Sequence, residues 1–71
     1  MKVYVKFFDG ENEALASDSM FILDGRNTKL TWISDARERM DRLINVQSYN
    51  GFEIRTCTGR AEPYRVVYKY P

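Results

Sequence analysis

The sequence contains no histidine and a single cysteine, Cys57. These absences exclude an internal disulfide and the Cys/His patterns of zinc sites, and they remove the most common general base of enzymes. The chain also lacks an apolar run close to the roughly 20 residues that cross a membrane, and its first residues do not resemble a secretion signal. We therefore expect a soluble cytoplasmic protein in a reducing compartment, with no cofactor, no metal and no membrane contact.

The residues that are present suit one small folded domain. The 71 residues are 44% hydrophobic and 14% aromatic, and 11 basic against 10 acidic side chains give a net charge of +1. This composition is far from that of disordered chains. We predict a single α+β domain over residues 1–71, with a net stability of about 3 to 5 kcal/mol because so short a chain buries only a small core.

The N-terminal segment has the alternation of a half-buried β-strand. Val3, Val5 and Phe7 occupy every second position, and Asp9-Gly10 then supplies a turn. The segment predicts the first strand of an antiparallel sheet.

A second hairpin is predicted further along the chain. The apolar run 20–23 ends at Asp24-Gly25, which is a turn signal. We expect residues 29–32 to form a strand that pairs back with this run.

One helix is predicted next, from Ile33 to Gln47, because the apolar residues of this segment recur at helical spacing. Either Ser34 or Asp35 can cap its N-terminus, and Asn50-Gly51 is expected to end it with a left-handed residue.

The charges of this helix are expected to pair with one another along a solvated face. Asp35 precedes Arg39 by four residues and Glu38 precedes Arg42 by four, which is the favourable order for helical ion pairs.

The C-terminal third predicts a hairpin of two alternating strands, over residues 52–57 and 64–70. Pro63 and Pro71 flank the second strand, where a missing N–H does least harm to a ladder. The fold class is therefore α+β: a small antiparallel sheet of four to five strands with one helix packed on one face.

Alternation also predicts which residues share each face of the sheet. The residues expected to face the helix are Val3, Val5, Phe7, Phe52, Ile54, Tyr64, Val66 and Tyr68, and those expected on the opposite, open face are Lys2, Tyr4, Lys6, Phe8, Glu53, Arg55, Arg65, Val67 and Lys69. Basic residues interleaved with aromatics are typical of surfaces that bind nucleic acid or acidic protein patches. The candidate partner-binding residues are Tyr4, Lys6, Arg55, Arg65 and Lys69. The alternative is a solvated face that keeps a one-sided sheet in solution.

Signals of catalysis are weak. The carboxylates of the acidic loop, Asp9, Glu11 and Glu13, could hold a metal or act as acid and base, but such a loop is far more often a solvated connection. Cys57 lies beside Arg55 by alternation, which would favour a thiolate, whereas a lone cysteine in a strand is more often inert. We expect a protein that is not an enzyme.

A resemblance of size and plan covers the whole chain. It is carried by the strand Met1-Lys2-Val3-Tyr4-Val5-Lys6-Phe7-Phe8, the helix entry Ile33-Ser34-Asp35-Ala36-Arg37 and the segment Gly51-Phe52-Glu53-Ile54-Arg55. In these features the chain resembles small phage-encoded host-takeover proteins, including single-domain anti-CRISPR inhibitors. The resemblance implies an inhibitor that occupies the surface of a host protein or nucleoprotein complex in the host cytoplasm and performs no chemistry of its own.

Three functional hypotheses follow. The first is a non-enzymatic protein-binding module, favoured because tyrosine and arginine are enriched at tight interfaces. The second is a nucleic-acid-binding module, although a pI of about 7.8 is low for that class. The third is a small metal-dependent hydrolase that uses the acidic loop.

Two further expectations concern the sheet. A homodimer through the last strand is one option, because that strand lies at an edge. Under the first hypothesis, Arg55→Glu with Arg65→Glu is expected to abolish binding while leaving the fold intact.

Overall fold

The computed structural model describes residues 1–10, 12–13, 21–43, 49–59 and 63–71. Along the chain, these residues form the strands β1 (Lys2–Asp9), β2 (Asn12–Glu13) and β3 (Phe21–Leu23), the helix α1 (Lys29–Leu43), and the strands β4 (Gly51–Cys57) and β5 (Arg65–Tyr70).

The strands form one antiparallel sheet. β1 pairs along its length with β4, and β4 pairs with β5. The other side of β1 pairs with β3 at Val3–Val5 and with β2 at Phe8 and Asp9. Because β2 and β3 share one position in the order, the sheet is four strands wide. The predicted α+β fold, an antiparallel sheet with one helix packed against it, is confirmed.

The core lies between the sheet and α1. Alternate residues of β1 and β4 meet the inner face of the helix, as their period of two requires. The buried members of this core are Val3, Val5, Phe7, Leu23, Ala36, Met40, Tyr49, Phe52 and Ile54. Tyr49 stacks on Phe7 with ring centroids 5.5 Å apart, and Tyr70 stacks on Phe52 at 5.3 Å.

The helix begins four residues earlier than predicted. Residues 29–32, predicted as a strand, form the first turn of α1. Thr28 precedes this turn: its carbonyl accepts the Trp32 N–H at 3.1 Å, and its Oγ1 lies 3.4 Å from the Thr31 nitrogen. This is the geometry of an N-cap, so the predicted caps Ser34 and Asp35 lie inside the helix.

The predicted C-terminal end of the helix is corrected in part. α1 is described as far as Leu43, and residues 44–48 lie outside the described part of the chain. Gly51, expected as the left-handed residue, instead begins β4 opposite Phe8. Among the described residues, positive φ occurs at Gly10 (63°), in the turn that follows β1.

A compact turn joins β3 to α1. The Asp24 carbonyl accepts the Asn27 N–H at 3.0 Å and the Trp32 Nε1–H at 2.8 Å. The Asp24 carboxylate accepts the Arg26 N–H at 2.9 Å and pairs with the Arg26 guanidinium at 3.1 Å. The hydrogen bonds from the Arg26 guanidinium and the Arg26 backbone N–H hold the pKa of the Asp24 carboxyl below its ordinary value.

Replacing Trp32 with phenylalanine tests the indole hydrogen bond of this turn. The phenyl ring retains much of the packing against the core, whereas the Asp24 carbonyl loses one of its two donors. We expect the free energy of unfolding to fall by about 0.5 to 1.5 kcal/mol, measured by urea denaturation followed by far-UV circular dichroism. An unchanged midpoint would show that water replaces the indole N–H without cost.

A β-bulge in β5 changes the expected faces of the sheet. Tyr68 lies opposite Ile54, but the next residue of β4, Arg55, lies opposite Val66, so Val67 is an extra residue. Beyond this bulge, Tyr68 faces the helix as predicted, and Tyr70 lies on the same face. Before it, the phase of the strand is reversed.

Four assignments in and before the bulge are therefore wrong. Val66 shares a face with Arg55, and the ring of Tyr64 lies over the Arg55 guanidinium, so both lie on the face away from the helix. Arg65 lies opposite Thr56 on the helix side, and Val67 packs against the core. The prediction assumed an uninterrupted alternation, which the extra residue breaks.

Candidate functional site

The face of the sheet away from α1, called here the distal face, carries Tyr4, Lys6, Glu53, Arg55 and Lys69. Register places Tyr4 beside Arg55, Lys6 beside Glu53, and Glu53 beside Lys69. The prediction that these side chains are exposed to solvent is wrong for three of them: Tyr4, Lys6 and Arg55 are only 2%, 7% and 5% exposed. Lys69 is exposed, as is Arg65 on the other side of the sheet.

Arg55 is the centre of a buried polar cluster. Its Nε and Nη2 atoms lie 2.9 and 2.8 Å from Oε1 of Glu53. Its Cζ lies 4.1 Å from the ring centroid of Tyr64 and 5.8 Å from that of Phe8. We call Tyr4, Phe8, Glu53, Arg55 and Tyr64 the Arg55 cluster. Its contacts give Arg55 a structural role, since the guanidinium is held within the protein.

Tyr4 belongs to the same cluster through its hydroxyl. Burial raises the pKa of this hydroxyl above its ordinary value of 10.0, and a hydrogen bond with Arg55 partly opposes the shift. A raised pKa means that the folded protein favours the neutral phenol. The resulting contribution to stability is complete at neutral pH and is lost as the pH rises through the pKa of the folded state.

The sequence contained a signal for this cluster that alternation alone did not use. Glu53 and Arg55 are two residues apart in one strand and therefore lie on the same face with opposite charges. The stacking of Tyr64 on Arg55 had no such signal, because it depends on the phase of β5 before the bulge.

The helix arginines also have local partners. Arg42 forms an ion pair with Glu38, as predicted. Arg37 lies 4.6 Å above the ring of Tyr70, and Arg39 lies 5.2 Å from the ring of Phe21. The two guanidiniums therefore cover aromatic rings of β5 and β3, which lie at opposite edges of the sheet. Arg39 contacts Phe21, whereas the sequence predicted that it would pair with Asp35.

The described residues contain no group of three or more side chains suited to hold a metal ion. Of the acidic loop, Glu11 and the side chain of Glu13 lie outside the described residues. Cys57 is buried opposite Lys2, where its thiol has little access to solvent.

The exposed surface with binding character lies along β5. Within the described part of the chain, β5 pairs with β4 alone, which leaves the outer edge of β5 without a neighbouring strand. Tyr64 and Val66 are 41% and 42% exposed at this edge. Both were predicted to be in the core, so sequence reasoning missed them.

A cleft of about 600 Å³ opens at the C-terminal end of β5. Lys69, Tyr70 and Pro71 line it together with Phe8, Asn50 and Glu53. Asn50 closes the far end of β1, because its backbone N–H donates to the Phe8 carbonyl at 3.0 Å and its Oδ1 accepts the Gly10 N–H at 2.9 Å. The cleft joins the edge of β5 to an aromatic part of the distal face.

No family model, curated protein or solved structure matches this chain. The helix of the described residues, α1, does not have both the length and the apolar character needed to cross a bilayer.

Proposed function

We propose that this chain is a non-catalytic protein-binding module that engages its partner through the outer edge of β5. The observation that carries the proposal is the unpaired edge itself, flanked by the exposed side chains of Tyr64, Arg65, Val66 and Lys69. Such an edge presents backbone N–H and C=O groups that an extended segment of another protein can pair with.

Burial favours protein over nucleic acid as the partner. A nucleic-acid module needs cations that reach phosphates, and two of the five cations assigned to the open face, Lys6 and Arg55, are buried. A third, Arg65, lies on the other face. The nucleic-acid hypothesis depended on five exposed cations on one face of the sheet, and three of these five are buried or lie on the other face.

An inhibitor that blocks a host protein by surface occupation is one use of such an edge. That role is implied by the resemblance to phage inhibitors and stays a prediction. It requires a partner whose active surface lies close to the segment that β5 binds.

Selection from a random peptide display library tests the proposal. We expect extended peptides to be enriched on the immobilised domain, and we expect the bound peptide to slow hydrogen exchange of the β5 amides between Arg65 and Tyr70. Protection confined to α1 or to β3 would contradict binding at β5, as would a selection that enriches no peptide.

A matched pair of variants adds a second measurement. Val66→Ser removes an exposed apolar side chain at the β5 edge, and Leu30→Ser removes one from the first turn of α1, where 79% of Leu30 is exposed. Binding of the selected peptides should weaken about three- to tenfold for Val66→Ser and stay unchanged for Leu30→Ser. A loss for Leu30→Ser as large as the loss for Val66→Ser would argue against the β5 edge.

A further inference from the structure

The bulge limits which part of β5 can add a strand. Val67 is the extra residue, and the ladder is regular from Tyr68 to Tyr70. A bulge disrupts the regular spacing of hydrogen-bonding groups, so an added strand forms its best ladder on one side of it. The C-terminal part, Tyr68–Tyr70, is the side that also borders the cleft.

The charge next to this part of the edge is positive. Lys69 is exposed, and the carboxylate opposite it in β4, Glu53, is bound to Arg55 at 2.8 Å. Since Tyr68 and Tyr70 are uncharged, Lys69 provides the only charge of the segment. A segment pairing here would therefore place its own side chains beside an ammonium group at the mouth of the cleft.

A second copy of the chain is a poorer occupant than an acidic segment. Its β5 would bring a second Arg65 and a second Lys69 into the joint ladder, and no carboxylate. In the two-fold pairing centred on Lys69, the two Lys69 side chains would lie directly opposite each other on the distal face, and directly opposed like charges destabilise a sheet.

On the basis of the proposed function, we infer that the Tyr68–Tyr70 edge of β5 binds an extended acidic peptide segment, with a carboxylate of that segment at Lys69 over the cleft. The backbone ladder provides the pairing, and Lys69 selects for acidic side chains. Selection by charge contributes to specificity more than to total affinity.

Three synthetic peptides test this inference. The first is an acetylated and amidated Thr-Glu-Val-Glu-Val-Glu-Thr, and the others carry Gln or Lys in place of each Glu. Each is titrated into ¹⁵N-labelled protein, with amide shifts followed by NMR at low and at high salt. We expect shifts centred on Tyr68–Tyr70, with the Glu peptide binding at least about tenfold more tightly than the Lys peptide and losing affinity as salt rises.

A charge-matched pair of variants locates the selectivity. Lys69→Gln and Lys29→Gln each remove one exposed cation, from β5 and from the start of α1. Lys69→Gln should weaken the Glu peptide about two- to fivefold and leave the Gln peptide unchanged, whereas Lys29→Gln should change neither. Urea denaturation of both variants confirms that the fold is retained.

The outcomes separate this inference from the proposed function. If all three peptides shift the β5 amides with equal affinity, edge binding stands and the acidic preference is wrong. If none shifts them, and display selection also fails, the proposed function is wrong. Concentration-dependent dimerisation with shifts at Tyr68–Tyr70 would overturn the inference in favour of a second copy.

Discussion

Arg55→Ala is expected to lower the free energy of unfolding by about 3 to 5 kcal/mol, which is the cost of breaking a buried ion pair by removing one partner. The substitution leaves the Glu53 carboxylate, which is also poorly exposed, without its guanidinium, and it removes the cation from beneath the ring of Tyr64. Because a chain of this length has a stability of about the same size, much of the variant should be unfolded at room temperature. Urea denaturation and the dispersion of amide resonances measure the effect.

Two comparisons identify the origin of this loss. Arg42→Ala removes an exposed ion pair with Glu38 and should cost less than about 1 kcal/mol. The double variant Arg55→Met with Glu53→Leu removes both charges of the pair and should recover part of the stability lost in Arg55→Ala, although the Tyr4 hydroxyl still loses its bond to Arg55. If the double variant is as unstable as Arg55→Ala, the packing of the guanidinium outweighs the charge of Glu53.

The same geometry corrects an expectation from the sequence. Arg55→Glu was expected to leave the fold intact, because Arg55 was placed on a solvated face. In the structure, Arg55 is buried beside Glu53. The glutamate introduced by this substitution would place a second carboxylate next to Glu53 with little access to solvent, so the substitution should unfold the domain.

Gly51→Ala is the second large effect and is expected to cost about 2 to 3 kcal/mol through steric overlap. A Cβ at this position would lie 2.7 Å from the Tyr70 carbonyl oxygen and 3.3 Å from Cδ of Pro71. Tyr70 ends β5 and Pro71 follows it, so the overlap is relieved only if the end of that strand moves away from β4. The midpoint of urea denaturation should fall, and the amide resonances of Tyr68–Tyr70 should shift.

Gly59→Ala is the matched control for this substitution. Nothing lies within 4 Å of the Cβ that it would add, and neither glycine has the positive φ that would add backbone strain. Its stability should therefore stay within about 0.5 kcal/mol of the original protein. Similar losses at both positions would show that contact with Tyr70 does not explain the effect.

Some features of the fold were predictable because strong local patterns agree with the tertiary structure. Val3, Val5 and Phe7 alternate without interruption, and β1 pairs in register with β4 along its length. The prediction of a strand over residues 29–32 was wrong, because a segment of four residues with two apolar members fits the period of a strand as well as that of a helix. The N-cap at Thr28 favours the helix.

The candidate site was harder to predict. Lys69 was correctly placed on the distal face, since it lies beyond the bulge, where the alternation of β5 holds. The faces of Tyr64, Arg65 and Val66 were predicted wrongly because these residues precede the bulge. No residue type in this segment indicates that the strand contains an extra residue. The burial of Lys6 and Arg55 could not be predicted from alternation, because alternation shows which face of the sheet a residue occupies but not whether other side chains cover that face.

The interruptions of the sheet edges affect how copies of this protein behave when they are crowded. In the described residues, one edge of the sheet is formed by strands of two and three residues, and the other is broken at Val67. Neither edge offers the long, regular row of backbone groups that lets sheets extend from molecule to molecule. Extension of one sheet from copy to copy is therefore disfavoured, so concentrated solutions should form no fibres.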